Sequence, residues 1–319
     1  FRFRPTARLT INAGLHAQFF ALNNTSSMEP RLGLAYKLNE RQTLSFAYGL
    51  HSRILPLGAY FPLIPAENQP NTFTITNEDL ALIKAHHLVV AYDHKIGNDI
   101  RFHIEAYYQY LFDVPVAADP NNNYWLLNDI DGYPKIDLVS EGTGRNYGVD
   151  ISLEKAFREG TFFIASGSIF ESQFQTLNDD TWKDTRYNTG WSFTFMGGKE
   201  WALRNNGVLQ LGLRILSNGG MRLPTLTSNK LQNGDSRIAP LADLNLYGNS
   251  ARTYFRPDGQ FAYRKDKAGR SWRIALDIQN LISRQNDDGI EYVYDDETLV
   301  WDFRKQSGLT PILSFQIDW

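Results

Sequence analysis

Charged side chains recur at every second position in two segments of the chain. In IRFHIEAYYQYL (100–111) and YGVDISLEK (147–155), polar residues alternate with apolar ones. The charged residues at the polar alternating positions are Arg101, His103, Glu105, Asp150 and Glu154. Side chains along a strand point alternately to two faces, so these groups share a wet face whose chemistry is hydration and ion pairing. The spacing indicates a charged surface rather than a catalytic centre.

The common signatures of catalysis and metal binding are missing. The chain has no cysteine, no GxSxG turn, no HExxH helix and no phosphate-binding loop. Of its six histidines only His86 and His87 are adjacent, and in a strand they would point to opposite faces and could not chelate one ion. The sequence predicts a protein that is not an enzyme, with no metal site and no cofactor.

Composition narrows the class of protein further. Aromatic residues make up 13 % of the chain and charged residues 21 %, and the net charge is -3. There is no basic field for a nucleic-acid partner. No stretch approaches eighteen consecutive apolar residues, which excludes a membrane-spanning helix. Strands of about ten alternating residues escape such hydropathy windows, so a β-protein that spans a membrane stays allowed.

Period two organises the whole chain into about twelve strands. Ten form pairs joined by short polar turns such as NERQ, GND and FREG, and two more open and close the chain, ARLTINAGLHAQF and PILSFQIDW. The other connections are mostly long, near residues 53–85, 112–145, 174–189, 218–250 and 283–306. Short turns at one end and long loops at the other are typical of outer-membrane barrels. We therefore predict an all-β fold, an antiparallel transmembrane β-barrel.

Alternation alone favours a soluble β-sandwich equally, but three features favour the membrane. The strands are longer than the usual five or six residues. The chain closes on an alternating strand. Aromatic residues cluster near strand ends, as an interfacial girdle requires: Tyr36, Tyr48, Tyr110, Trp191, Trp201 and Trp272. In a barrel the charged face described above would line a water-filled or plugged lumen, because a charge facing lipid costs roughly 2–4 kcal/mol at mid-depth.

The long loops carry aromatic residues that loops do not need. They are Tyr60, Phe61, Tyr124, Trp125, Tyr292 and Tyr294. Exposed aromatic side chains are good contact surfaces, so these are candidates for binding a ligand or partner. The alternative is that the loops pack against each other and cap the barrel.

The closing strand, with Phe315, Ile317 and Trp319 in alternation, resembles the C-terminal signal by which outer-membrane barrels are recognised for assembly. Five phrases in order, MEPRLGLAYKLNERQTLSFAYGLHS, KAHHLVVAYDHKI, EAYYQYLFDVPV, EGTGRNYGVDISLEK and LDIQNLISRQN, resemble the last barrel strands of TonB-dependent receptors of the Bacteroidota type. The resemblance covers residues 31–319. It implies a barrel of about twenty-two strands, of which about twelve are present here.

The resemblance also implies partners. These are the lipid of the bacterial outer membrane, a plug domain of the same protein, the TonB complex, the barrel assembly machinery and a surface lipoprotein. Neither a plug nor a TonB-contacting segment is found in residues 1–319, which we expect to be the C-terminal part of one barrel domain. The predicted function is ligand capture at extracellular loops with energised import. Two alternatives stay open, a passive pore or structural barrel and a soluble secreted glycan-binding β-protein.

Overall fold

The structure is a computed structural model. It describes residues 1–62, 64–65, 73–74, 77–129, 134–177, 179–224, 246–295 and 298–319, with the backbone alone at residues 65, 73–74, 205, 290–295 and 298–302.

Within these residues the chain forms twenty strands and three short helical turns. The strands are β1 (Arg2–Phe3), β2 (Leu9–Phe20), β3 (Thr25–Lys37), β4 (Gln42–Arg53), β5 (Ile64–Pro65), β6 (Phe73–Thr74), β7 (Ile83–Ile96), β8 (Ile100–Ala117), β9 (Leu138–Arg158), β10 (Thr161–Thr176), β11 (Asp179–Asp184), β12 (Trp191–Leu203), β13 (Gly207–Asn218), β14 (Arg222–Leu223), β15 (Asn249–Ser250), β16 (Tyr254–Lys267), β17 (Arg270–Gln279), β18 (Asp287–Asp295), β19 (Thr298–Lys305) and β20 (Thr310–Asp318). The helical turns are α1 (Leu57–Tyr60) and two 3-10 turns, Leu126–Asn128 and Arg204–Asn206.

Twelve long strands form one antiparallel meander, in the order β2-β3-β4-β7-β8-β9-β10-β12-β13-β16-β17-β20. They coincide with the twelve strands that the alternation predicts. The short strand β1 pairs with the outer edge of β2, and β11 pairs with the end of β10. Three two-stranded ladders, β5-β6, β14-β15 and β18-β19, lie in the long connections. The prediction of an antiparallel all-β fold is confirmed.

The sheet has one continuous apolar face because apolar positions of neighbouring strands are in register. One row across five strands consists of Phe46, Val90, Ala106, Val149 and Ile169. No second sheet covers these residues in the described part of the chain, and Ile169 is 74 % exposed. The shared dry interior that a soluble sandwich requires is therefore missing, and the apolar face has the character of a lipid-facing surface.

Short turns join the strands at one end of the sheet, as predicted. The β9-β10 turn is built on Glu159 and Gly160, both with positive φ (54° and 71°), which suits a tight hairpin turn. A side chain on Gly160 would collide with the backbone carbonyl oxygen of Glu200 on β12. The amine of Lys155 donates a hydrogen bond to the carbonyl oxygen of Thr161 (3.0 Å), which holds the turn from one side.

Within the described ranges, no helix is both long and apolar enough to cross a membrane.

At the opposite end, extended strands and long connections build a hydrophobic cluster that we call the loop core. It consists of Leu55, Ala59, Tyr60, Leu80, Ile83, Val114, Val116, Trp125, Leu126, Leu138 and Phe174. Buried polar side chains join its segments. The Asn77 side chain donates a hydrogen bond to the carbonyl oxygen of Ile136 (3.1 Å) and accepts one from the backbone N–H of Leu138 (3.0 Å). These bonds satisfy backbone groups that burial would otherwise leave unpaired.

Candidate functional site

The five charged residues predicted to face a lumen lie together on the polar face of β8 and β9. Arg101 pairs in register with Glu154, and Glu105 pairs in register with Asp150, while His103 lies between them on β8. All five project away from the apolar face, as the alternation requires. The structure brings them together, and their position in a lumen stays a prediction.

Asp93 on β7 belongs to the same cluster and was not singled out from the sequence. Its Oδ1 lies 2.8 Å from Nε of Arg101 and 3.2 Å from Nδ1 of His103. Nε2 of His103 forms a hydrogen bond with Oε2 of Glu105 (3.2 Å), so the imidazole lies between two carboxylates and is hydrogen-bonded to one of them. The alternation in HLVVAYDHKI places Asp93 on the polar face, but only the β7-β8 register shows which residues it meets.

This cluster, which we call the acidic wall, has more negative than positive groups. Four carboxylates face one arginine, one histidine and, at the turn end of β7, Lys95, which lies opposite Arg101. Asp150 accepts a hydrogen bond from the Ser168 hydroxyl, a neutral partner. The Glu154 carboxylate has no hydrogen-bond partner among the described residues, although it lies opposite Arg101 in the register. Because like charges that face each other across strands repel, the acidic wall favours a cationic group from outside the sheet.

A second polar cluster lies on β13 and β16, where two arginines hold one carboxylate. Asp258 is 8 % exposed and receives hydrogen bonds from Nε of Arg214 (3.0 Å), Nε of Arg256 (2.9 Å) and the backbone N–H of Asn280 (2.8 Å). Asn280 has positive φ (56°) and turns the chain at the end of β17. No local motif in the sequence indicates this cluster, because its members come from β13, from β16 and from the turn after β17.

Two of the six candidate ligand-contact aromatics are buried in the loop core. Tyr60 is 0 % exposed and Trp125 is 5 % exposed, and the Trp125 ring stacks on Phe174 at 5.1 Å between centroids. Burial also raises the pKa of Tyr60. For these two side chains, the expectation of an exposed contact surface is corrected. The arrangement agrees with the alternative in which loops pack against each other.

The structure describes the side chains of two of the other four candidate aromatic residues and only the backbone of the remaining two. Phe61 is 39 % exposed and stays a candidate. The Tyr124 hydroxyl donates a hydrogen bond to Oδ2 of Asp129 (2.7 Å), and burial together with this carboxylate raises the pKa of Tyr124. Tyr292 and Tyr294 lie on β18, opposite residues 301 and 299 of β19, and their side chains are outside the described residues. A ligand-contact role for these four stays a prediction.

The closing strand β20 pairs with β17 and extends the apolar face. Phe315 lies opposite Ile274, and Ile317 lies opposite Trp272. Phe315 is 63 % exposed and Trp319 is 93 % exposed, as an edge strand permits. An exposed edge strand fits the predicted assembly signal. Recognition of this strand by the barrel assembly machinery stays a prediction.

No group of three or more His, Cys, Asp or Glu side chains in the described part of the chain could hold a metal ion.

Comparison with solved structures identifies the fold. The chain is similar to the ferric yersiniabactin uptake receptor FyuA from Yersinia pestis, with a TM-score of 0.67 and 12 % identity over 100 % of this chain and 44 % of that one. It is similar to the outer membrane transporter YddB from Escherichia coli, with a TM-score of 0.65 and 12 % identity over 97 % and 43 %. It is also similar to BauA, the ferric preacinetobactin receptor from Acinetobacter baumannii, with a TM-score of 0.63 and 14 % identity over 98 % and 40 %.

No protein-family model matches the sequence, and no curated protein matches it either.

The chain has the fold of a barrel portion of outer-membrane receptors. It spans less than half the length of the structures it matches. The predicted outer-membrane β-barrel fold is confirmed. The neighbours are receptors and transporters rather than enzymes, in agreement with the prediction for this chain. The Bacteroidota assignment stays a prediction.

Proposed function

We propose that the chain is the C-terminal part of the barrel of a TonB-dependent outer-membrane receptor that captures a ligand at its extracellular loops and imports it. The observation that carries the proposal is the match of nearly the whole chain to barrel portions of uptake receptors. Four of the similar proteins are named for ferric complexes, with yersiniabactin, preacinetobactin, a catecholate and citrate. A ferric chelate is therefore the ligand class to test first.

The two faces of the sheet support this function physically. The apolar face suits a lipid wall, where backbone groups must be paired within the protein. The polar face would line the lumen and present the acidic wall to it. Four carboxylates with too few cationic partners suit contact with Lys or Arg side chains of a plug domain. The loop core gives the ligand-binding end a rigid base.

Completion of the barrel is part of the proposal. Among the described strands, β20 pairs only with β17, and the outer edge of β2 is covered only by the two-residue β1. Open sheet edges are prohibitive in lipid, so we propose that further strands close the barrel and that a plug occupies it. The assembly machinery, the TonB complex and a surface lipoprotein are partners in this hypothesis.

Uptake in cells tests the function directly. We expect a deletion strain to lose uptake of radioactive iron supplied as ferric citrate or as a ferric catecholate, and the wild-type gene to restore it. Restored uptake should disappear in a strain that lacks TonB. The ferric-chelate proposal would be contradicted if the complemented strain took up neither chelate faster than the deletion strain does. Energised import would be contradicted if uptake persisted without TonB.

Conductance separates a plugged receptor from a passive pore. In a planar bilayer, the purified protein should stay closed because the plug fills the lumen. A steady open conductance of the intact protein would favour the passive pore. Protein that stays monodisperse after removal of detergent would contradict the membrane assignment altogether.

A further inference from the structure

Two histidines meet on the polar face near the loop end of β4 and β7. The rings of His51 and His87 have centroids 4.7 Å apart with an interplanar angle of 56°. They are 36 positions apart in sequence and come together because Gly49, two residues before His51, lies opposite His87 in the register. The pairing differs from the adjacent pair that the sequence offers, His86 and His87.

Gly49 creates the space in which the two rings meet. A methyl group built on Gly49 would lie 2.6 Å from Nε2 of His51 and 3.3 Å from its Cδ2. The His51 ring therefore folds back over the bare backbone of its own strand, toward His87. Any side chain at position 49 would push the ring away, so the glycine determines the approach of the two imidazoles.

Ligand atoms of both rings are available. The His51 imidazole has no hydrogen-bond partner among the described residues. Nδ1 of His87 lies 3.5 Å from Nε2 of Gln109, whose Oε1 accepts a hydrogen bond from Asn146 (3.1 Å). This contact holds the ring from one side, and Nε2 of His87 has no hydrogen-bond partner among the described residues. When Nε2 binds a metal ion, Nδ1 carries the ring proton, so the Gln109 amide must turn over and accept that proton with its oxygen.

The pair also opens to solvent. His51 and His87 line a cavity of about 580 Å³ whose other walls include Asn12 and Arg31. On the β2-β3-β4 side the floor of this cavity is formed by Gly14, Gly33 and Gly49. The space over the two imidazoles can therefore admit an ion together with water or small ligands that complete its coordination.

We propose that His51 and His87 form a two-histidine site for a divalent first-row transition-metal ion, with the remaining coordination positions open to the cavity. Imidazole is a ligand that suits Cu²⁺, Ni²⁺ and Zn²⁺. The site needs neither a plug nor transport, so it stands independently of the proposed function.

His86 provides a matched control within the same strand. Its Nδ1 forms a hydrogen bond with the Tyr48 hydroxyl (3.0 Å), and its ring stacks against Phe112 at 5.2 Å between centroids. It lies on the opposite face of β7 from His87. Replacing it removes a histidine from the chain without touching the proposed site.

Metal binding to the detergent-purified protein tests the site. Titration calorimetry with Ni²⁺ or Zn²⁺ should show one ion per protein, and the spectrum of bound Cu²⁺ in electron paramagnetic resonance should show two nitrogen ligands. We expect His51→Gln and His87→Gln each to weaken binding roughly tenfold or more. His86→Gln should bind as the wild type does.

Gly49→Ala tests the geometry, because it keeps both histidines. It should weaken binding in the same direction as loss of a ligand. Thermal unfolding of every variant confirms that the barrel is intact, and the two glutamine variants decide the matter if Gly49→Ala does not fold. Wild-type affinity in both His51→Gln and His87→Gln, or a loss as large in His86→Gln, would overturn the proposal.

Discussion

The apolar face of the sheet and the loop core are both hydrophobic, but they exclude water in different ways. Side chains on the apolar face are exposed to solvent in the isolated chain, where Ile151 is 45 % and Val90 is 46 % exposed. Side chains in the loop core are closed in by other side chains, with Val114, Val116 and Phe174 at 0 %. The first region has the exposure of a surface that lipid would solvate, whereas protein atoms fill the second.

The two regions should therefore tolerate substitution differently. A close-packed core loses contacts and gains a cavity when a side chain shrinks. A lipid-facing surface loses little, since lipid chains move into the space. It should instead be sensitive to charge, because hydrocarbon cannot solvate an ion.

The largest effect is expected from truncation of Phe174 in the loop core. Phe174→Ala removes the ring that stacks on Trp125 and leaves a cavity. Such changes cost about 3–5 kcal/mol. Limited proteolysis should cut the loops around residues 118–137 much faster than in the wild type, while the sheet stays resistant. Cleavage at the wild-type rate would show that the loop core is not close-packed.

The second-largest loss of stability is expected from a charged side chain on the apolar face. Ile151→Arg places a cation in the middle of β9 on the lipid side and should cost about 2–4 kcal/mol. Its neighbour Ser152 points to the polar face, so Ser152→Arg is the matched control and should cost much less. The two variants are compared by unfolding in detergent micelles. Equal costs would contradict the assignment of the two faces.

Overpacking beneath Trp125 should have a somewhat smaller effect. A side chain at Gly142 would meet the Val114 carbonyl oxygen at 2.7 Å and Cδ1 of Trp125 at 3.3 Å. Gly142→Leu should cost about 1–3 kcal/mol by expelling the indole ring. Tryptophan fluorescence should shift to longer wavelength. An unshifted spectrum would contradict this role of the glycine.

The smallest effect on stability is expected in the last long connection, residues 280–309. Ion pairs of Asp287 hold this connection together and attach it to the rest of the chain. Asp287 is bound by Nη2 of Arg252 (2.8 Å) and by the amine of Lys305, and these cations lower the pKa of its carboxyl to about 2. A lowered pKa stabilises the ionised form, so the stabilisation is complete above the ordinary carboxyl pKa and is lost as the pH falls toward 2.

Mild acid should therefore loosen this attachment without affecting the loop core. Proteolysis by pepsin near residues 280–309 should be a few-fold faster at about pH 2 than at about pH 4, relative to cleavage elsewhere in the chain. In Asp287→Asn, this relative change should be absent. A variant that keeps the full pH dependence would assign the effect to another group.

The sequence predicts the structure correctly where one local rule decides it. Alternation placed Ile104 and Ile151 on one face and Glu105 and Asp150 on the other, because the period of a strand is two and needs no knowledge of neighbours. It failed where partners come from distant segments. Trp125 was expected to be exposed, and only the stack on Phe174, 49 positions away, shows why it is buried. The His51-His87 contact likewise depends on strand register and on one glycine.

The meander has a consequence for how such proteins diversify. Each long strand pairs with its neighbours in sequence, so the wall is a series of hairpins whose long connections lie outside it. Doubling the length of a flexible connection costs only about 0.6 kcal/mol of closure entropy. Insertions and deletions at exposed positions outside the loop core, such as residues 119–121 after β8, can therefore accumulate at little thermodynamic cost while the strand pairing stays unchanged. The same wall can then carry connections of quite different length and composition.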